Sequence, residues 1–311
     1  MYIIFILYLY YFTLYPLNFP PFGRSLPSGR CLPISSHASR RVLPKTSTST
    51  ISPRIRGADF GCDLPTGRFC MRIAILSDVH ANAVALRSVL DDVDRQGVIA
   101  RLCLGDSVGY GSDPADCLEI LFEACDVVLA GNHDLAATGR LTDSRFTALA
   151  RQSVEFARRG LSPRQRSRLA ECADEERFGE LLLVHASPSD PSEFPYIRDA
   201  AAAREQFDQH PFRIAFYGHT HVPLAFVDDG RRVLMTMAPR IELPADARVL
   251  CNAGSVGQPR DQDPRASYVI FDSSSRIIEF HRVEYDTEEA AARIRSAGLP
   301  EQLGSRLLIG V

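Results

Sequence analysis

Tryptophan is absent from the chain, and from Met71 onward so is lysine: every basic side chain in that stretch is an arginine. The second absence removes whole reaction classes. Schiff-base chemistry, attachment of pyridoxal phosphate and a P-loop each need a lysine amine. None is open to residues 71–311. The chain has 8 cysteines, yet no two stand in a C-x-x-C spacing. Cys103 and Cys251 lie inside apolar runs, and Cys117, Cys125 and Cys172 in helix-like stretches. They read as small buried thiols in a reducing, cytoplasmic compartment, not as a disulfide or zinc framework.

Acidic residues are scarce in one part only. Residues 1–70 carry 8 Arg or Lys against 2 Asp, so of the chain's 35 basic and 38 acidic groups 27 and 36 fall in the remainder. A body with that negative balance has no bulk affinity for nucleic acid to expect.

The first seventy residues differ in kind from the rest. Residues 2–19 are apolar, uncharged and interrupted by Pro16, and half of the chain's 10 tyrosines fall in the first twenty positions. The run lacks the flanks of a signal peptide and is short for a spanning helix. Residues 24–56 contain no acid and are rich in Arg, Ser and Pro, as transit peptides and disordered segments are. Met71 then opens a clean strand, M-R-I-A-I-L-S. The expectation is that residues 1–70 are an upstream extension foreign to the native protein, with a disordered or targeting segment or a membrane anchor as the alternatives. Residues 71–311 form the functional domain, with no membrane association unless the first segment is real.

In that domain short apolar runs alternate with helical periods, the pattern of an α/β domain. Asn82 to Gln96 carries apolar residues at 83, 86, 89, 90 and 93, one face of a helix. Residues 143–159 and 163–172 read as helices. Pro223–Asp228 and Arg231–Met237 read as a hairpin through Asp228-Asp229-Gly230, and 266–271 with 276–284 as another.

What stands at the end of each apolar run is the informative feature. Ile73–Ser77 delivers Asp78-Val79-His80, and Leu102–Leu104 delivers Gly105-Asp106. Val127–Ala130 delivers Gly131-Asn132-His133-Asp134, Leu181–Val184 delivers His185, and Ile214–Tyr217 delivers Gly218-His219-Thr220-His221. Ligand sites in α/β sheets gather at the carboxyl ends of strands. Glycines 105, 131 and 218 let the backbone turn just before the functional residue. A single Asp-x-His is an ordinary loop and a single strand histidine an ordinary core residue. Five such endings in succession, holding five of the 8 histidines, are not.

The order D-x-H, G-D, G-N-H-D, H, G-H-x-H resembles the calcineurin-like metallophosphoesterase superfamily over about residues 71–285. The segments SDVHAN, LGDSVGYGSDP, AGNHD, HASP, GHTHVP and NAGSVGQPRD are similar to its small prokaryotic phosphodiesterase-like branch. The resemblance implies a two-sheet β-sandwich flanked by helices, a four-layer αββα fold. It also implies hydrolysis of phosphate esters, mono- or diester and nucleotide-derived ones included, by a hydroxide bridging two divalent cations. Asp78, His80 and His221 would hold one cation, Asn132, His185 and His219 the other, and Asp106 would bridge them. His133 would protonate the leaving oxygen. Carboxylate, amide and imidazole donors suit Mn, with Fe, Zn or Ni as alternatives, better than Mg or Ca.

The chain departs from the Ser/Thr protein phosphatases of that superfamily. Where their GDxxDRG and RGNHE motifs carry Asp, Arg and Arg, this chain has Gly109, Tyr110 and Ala130. The partner that orients His133 is therefore open, and protein phosphatase activity of that type is disfavoured. Arg260 and Arg265 are candidates for holding the substrate phosphate, with a solvated surface role as the alternative. Where the branch has proline and glycine, this chain has Ala253 and Ala81. A non-catalytic scaffold or docking module on the same fold is the competing reading, and loss of ligands would favour it.

Overall fold

The computed structural model describes residues 72–311. The expectations about residues 1–70 lie outside the described residues.

Twelve strands build two mixed sheets. The first holds β1 (Arg72–Leu76), β2 (Ala100–Cys103), β3 (Val127–Val128), β9 (Arg240–Glu242), β11 (Ala266–Asp272) and β12 (Ile277–Val283), in the order β3-β2-β1-β11-β12-β9. The second holds β4 (Glu175–Phe178), β5 (Leu181–Val184), β6 (Ile214–Tyr217), β7 (Leu224–Asp228), β8 (Val233–Thr236) and β10 (Arg248–Asn252), in the order β4-β5-β6-β10-β7-β8. β1, β2 and β3 run parallel, as do β5, β6 and β10. The expected hairpins are present as β7–β8 and β11–β12.

Strand residues alternate between the two faces of a sheet, and that alternation builds the layers. Ile73 and Ile75 of β1 join Leu102, Leu183, Phe216 and Phe271 in a core between the sheets. Ala74 and Leu76 turn the other way. They pack on α1 (Ala83–Val93) and α2 (Pro114–Ala124) through Leu86, Val89, Leu118 and Leu121. On the second sheet Ile214 and Phe216 face inward, while Ala215 and Tyr217 meet Ala203 and Phe207 of α6 (Ala200–Gln209). The result is the four-layer sandwich. A buried Leu, Ile or Phe contributes roughly 1.5–3 kcal/mol, so an inter-sheet core of this kind carries much of the stability. The remaining helices are α3 (Asn132–Thr138), α4 (Ala148–Gly160), α5 (Pro163–Ala170), α7 (Thr287–Ser296) and α8 (Glu301–Leu307). Among the described residues no helix is long and apolar enough to cross a membrane.

Candidate metal centre

The five apolar runs supply β1, β2 and β3 of one sheet and β5 and β6 of the other, so their carboxyl ends meet at one edge of the sandwich. The loops that follow are laced together by backbone hydrogen bonds: Asp78 N–H to Gly105 O, His80 N–H to Asp106 O, and Gly218 N–H to His185 O. Asp78, His80, Asp106, His219 and His221 all stand in the left-handed region, at φ between 47° and 63°. Each such residue costs about 1–2 kcal/mol, a cost tolerated where the surroundings impose it. Asp and His are among the side chains that enter this region most readily. Of the three glycines expected to make turns, only Gly105 has a positive φ, 103°. Gly131 and Gly218 are required by contact instead. A Cβ at Gly131 would strike the Asp106 carboxylate, and one at Gly218 the side chains of Ser77 and Asp78.

Seven side chains converge. His80 and His221 bring their Nε2 atoms within 3.0 Å of each other, while each Nδ1 faces a backbone carbonyl, of Val108 at 3.1 Å and of Gln258 at 2.6 Å. A carbonyl accepts, so Nδ1 carries the proton and both Nε2 atoms present lone pairs. Asp78 Oδ1 lies 3.2 Å from His221 Nε2 and 3.7 Å from His80 Nε2, and has no hydrogen-bond donor although buried. The other half repeats the arrangement. His185 gives Nδ1–H to Leu104 O at 3.1 Å and turns Nε2 toward Asn132 Oδ1 at 3.2 Å and Asp106 Oδ2 at 3.4 Å. His219 completes a group with Asp106 and His185 whose ligand atoms lie within 4.8 Å of one another. Asp106 Oδ2 is also 3.7 Å from His80 Nε2, so it borders both halves. Buried acceptors facing one another without a donor are unfavourable. A cation among them would satisfy all of them, and the donor set of carboxylate, amide oxygen and imidazole fits a divalent transition metal.

The electrostatics follow from burial and pairing. Desolvation lowers His80 well below its ordinary value, takes His219 down to about 3, and with Arg260 lowers His221. Those rings are neutral at neutral pH, the form that binds metal. Burial also opposes protonation of His185, but the Asp106 carboxylate outweighs it and lifts the ring to about 9 in the metal-free protein; a cation beside Asp106 would displace that proton and free the Nε2 lone pair. Desolvation works against ionisation of Asp78 and Asp106 too; His221 and His185 respectively outweigh it and hold both carboxylates low.

The pattern of the calcineurin-like phosphoesterase superfamily domain matches residues 71–276. The chain belongs to the calcineurin-like phosphoesterase superfamily. An uncharacterised protein of Methanocaldococcus jannaschii is 34% identical over 242 residues, 76% of this chain and 98% of that one. A metallophosphoesterase from Sphaerobacter thermophilus, solved by crystallography, is 39% identical at a TM-score of 0.70, covering 78% of this chain and all of that one. A hypothetical protein from Pyrococcus horikoshii shares the fold at 18% identity, with a TM-score of 0.61 over 77% of this chain and 98% of that one.

Where the Ser/Thr protein phosphatases carry the second Asp of GDxxDRG this chain has Gly109, and packing surrounds His133 instead. His133 Nδ1 is buried without a partner and faces Gly109. The ring is caged by Tyr110 at 4.6 Å and by His80 and Phe146 at 4.9 Å. Any side chain at position 109 would occupy the space of the imidazole. Burial lowers His133 to about 4, against the pull of Asp106. Its backbone N–H donates to Asp106 Oδ1 at 2.8 Å, tying the first turn of α3 to that carboxylate.

A cleft of about 300 Å³ opens on His133, Asn132, His219 and His221. Arg260 lines it, its guanidinium 5.5 Å from the Tyr110 centroid. Tyr110 thus occupies the position where the protein phosphatases carry arginine and sets an arginine from a distant loop beside it. Arg265 is not brought to the cleft; it is occupied by Asp263 at 2.6 Å. Arg145 reaches the cleft mouth, paired with Glu193.

Several site residues were not legible as such in the sequence. Asp134 accepts backbone N–H bonds from Ser107, Val108 and Gly131, fastening two ligand loops. Asn252, at the end of β10, donates to Gly218 O and Thr220 Oγ1, and Ser255 Oγ donates to Asp78 O at 2.8 Å. The segment N-A-G-S-V-G is therefore a clamp on the first and last ligand loops. Ala253 N–H donates to Tyr217 O at 2.9 Å, a bond that the proline usual in this branch could not make.

Proposed function

We propose that this chain hydrolyses small phosphate esters with two divalent cations, manganese foremost and iron, zinc or nickel also suited. Mono- and diesters, including nucleotide-derived ones, fall within the proposed range. The observation that carries the reading is the convergence of lone pairs: two facing Nε2 atoms in one half, and Nε2, amide oxygen and carboxylate in the other, with Asp106 bordering both. Cations bound there would lower the pKa of a water toward neutrality and neutralise phosphoryl oxygens.

The chain's own residues supply the rest. Asp78, His80 and His221 would hold one cation, Asn132, His185 and His219 the other, and Asp106 would serve both. Arg260, at the cleft wall, would meet the phosphate. His133 presents its remaining nitrogen to the cleft and would donate a proton or hydrogen bond to the leaving oxygen. Its low value belongs to the protein without substrate; a phosphate dianion drawn beside it favours the protonated ring. A cleft near 300 Å³ is at the small end for ligand sites, which suits a compact ester and not a polymer. A scaffold would have no use for seven convergent donors and a caged histidine.

The test is direct. Protein stripped with a chelator should lose hydrolysis across a panel of phosphate mono- and diesters, and manganese should restore it. Manganese-loaded protein that cleaves no ester in the panel would overturn the reading in favour of the scaffold.

A further inference from the structure

The two halves of the cluster are held by different means. His80, His185 and His221 each anchor Nδ1 on a backbone carbonyl. Such bonds fix the ring plane and the tautomer of a metal-binding histidine. Among the described residues neither ring nitrogen of His219 has a hydrogen-bond partner. Ring contact takes the place of that bond. Tyr196 stacks on His219 with centroids 4.4 Å apart and planes 22° from parallel. Phe194 meets the rings of both His219 and His185, at 6.2 and 6.1 Å.

Both aromatic residues come from the connection between β5 and α6. That connection is itself constrained. The Arg198 guanidinium sits 4.3 Å from the Tyr196 centroid, and Phe194 stands at φ 53°, a conformation bulky side chains seldom adopt unless their surroundings impose it. The rings against His80 are Tyr110, His133 and His221, which belong to the converging loops themselves. Among the described residues only the Asn132–His185–His219 half makes ring contacts with the β5–α6 connection.

We infer that Tyr196 is a positioning residue for His219. Through it the connection between β5 and α6 sets how tightly the Asn132–His185–His219 half holds its cation, while the Asp78–His80–His221 half is indifferent to it. This rests on the two-cation reading above. The absence of a hydrogen bond on His219 makes the stack its principal restraint, so removing the ring frees the imidazole to turn.

Calorimetric titration of chelator-stripped protein with manganese tests this without any substrate. Wild type should show two binding events. Tyr196→Ala should weaken one of them roughly three- to tenfold, the worth of an aromatic stack, and leave the other unchanged. Tyr196→Phe keeps the ring and should restore wild-type binding. Tyr196 is 47% exposed, so the stripped variants should melt with the stripped wild type. The inference is overturned if Tyr196→Ala leaves both events unchanged, weakens them alike, or is matched by Tyr196→Phe. A wild-type protein that takes up fewer than two ions would instead defeat the two-cation reading, before any substitution is made.

Discussion

Asp106 and His133 show how far single residues were legible in the sequence. Asp106, Asn132 and His219 each follow a glycine at the end of an apolar run, and His133 stands one place further. Asp78, His80, His185 and His221 lie at or just past the ends of such runs, and that position together with the resemblance named all seven side chains that converge. Tyr110, Asp134, Asn252 and Ser255 carry no such sign, because what they do is pack, accept or donate across the fold. Ser255, for instance, reaches the carbonyl of Asp78, 177 residues away in sequence. The orientation of His133 was equally hidden. It is set by a cage of rings and by the lack of a side chain at Gly109, and an absence of atoms leaves no motif. The caged imidazole gives a prediction at this scale. General acid catalysis is worth about 10²–10⁴-fold, growing as the leaving group becomes more basic. His133→Ala should lose that much on an alkyl phosphate and far less on a nitrophenyl ester, with metal content unchanged. Equal losses on the two esters would mean that the ring orients phosphate and that the proton comes from elsewhere.

At the scale of elements, the strands that deliver the converging residues were all legible in the sequence, because buried parallel strands read as short apolar runs, and so were the hairpins β7–β8 and β11–β12. β4 was not. Its residues, Glu-Glu-Arg-Phe, alternate between exposed and half-buried and pair only with β5 at the sheet edge. β9 has three residues and finds its place only against β12. The division into two sheets was likewise invisible to periodicity and came from the resemblance, since alternation states that a strand has two faces and not which sheet covers them. The loop after β1 offers a test of its geometry. Ala81 stands at φ 51°, where alanine costs about 1–2 kcal/mol and glycine loses roughly 0.5–1 kcal/mol in chain entropy. Ala81→Gly should therefore stabilise the protein by up to ~1 kcal/mol in urea unfolding. A loss of more than about 1 kcal/mol would show that the left-handed turn is not the conformation in solution.

For the whole molecule, both sheets, the core between them and all seven converging side chains lie within residues 72–311. A chain beginning at Met71 is accordingly expected to fold, melt and hydrolyse phosphate esters as the full chain does. A lower melting temperature or lost activity would assign residues 1–70 a part in the domain. The negative balance of residues 71–311 also takes on meaning at this scale. Two divalent cations placed at the junction of the sheets would reverse the field locally, drawing a phosphate anion to the one edge of the molecule where Arg260 waits. That arrangement of cations is the centre of the account, and anomalous X-ray scattering from manganese-loaded crystals tests it most directly. Two peaks are expected, one among Asp78, His80, Asp106 and His221 and one among Asp106, Asn132, His185 and His219. A single peak, or peaks away from Asp106, would contradict it.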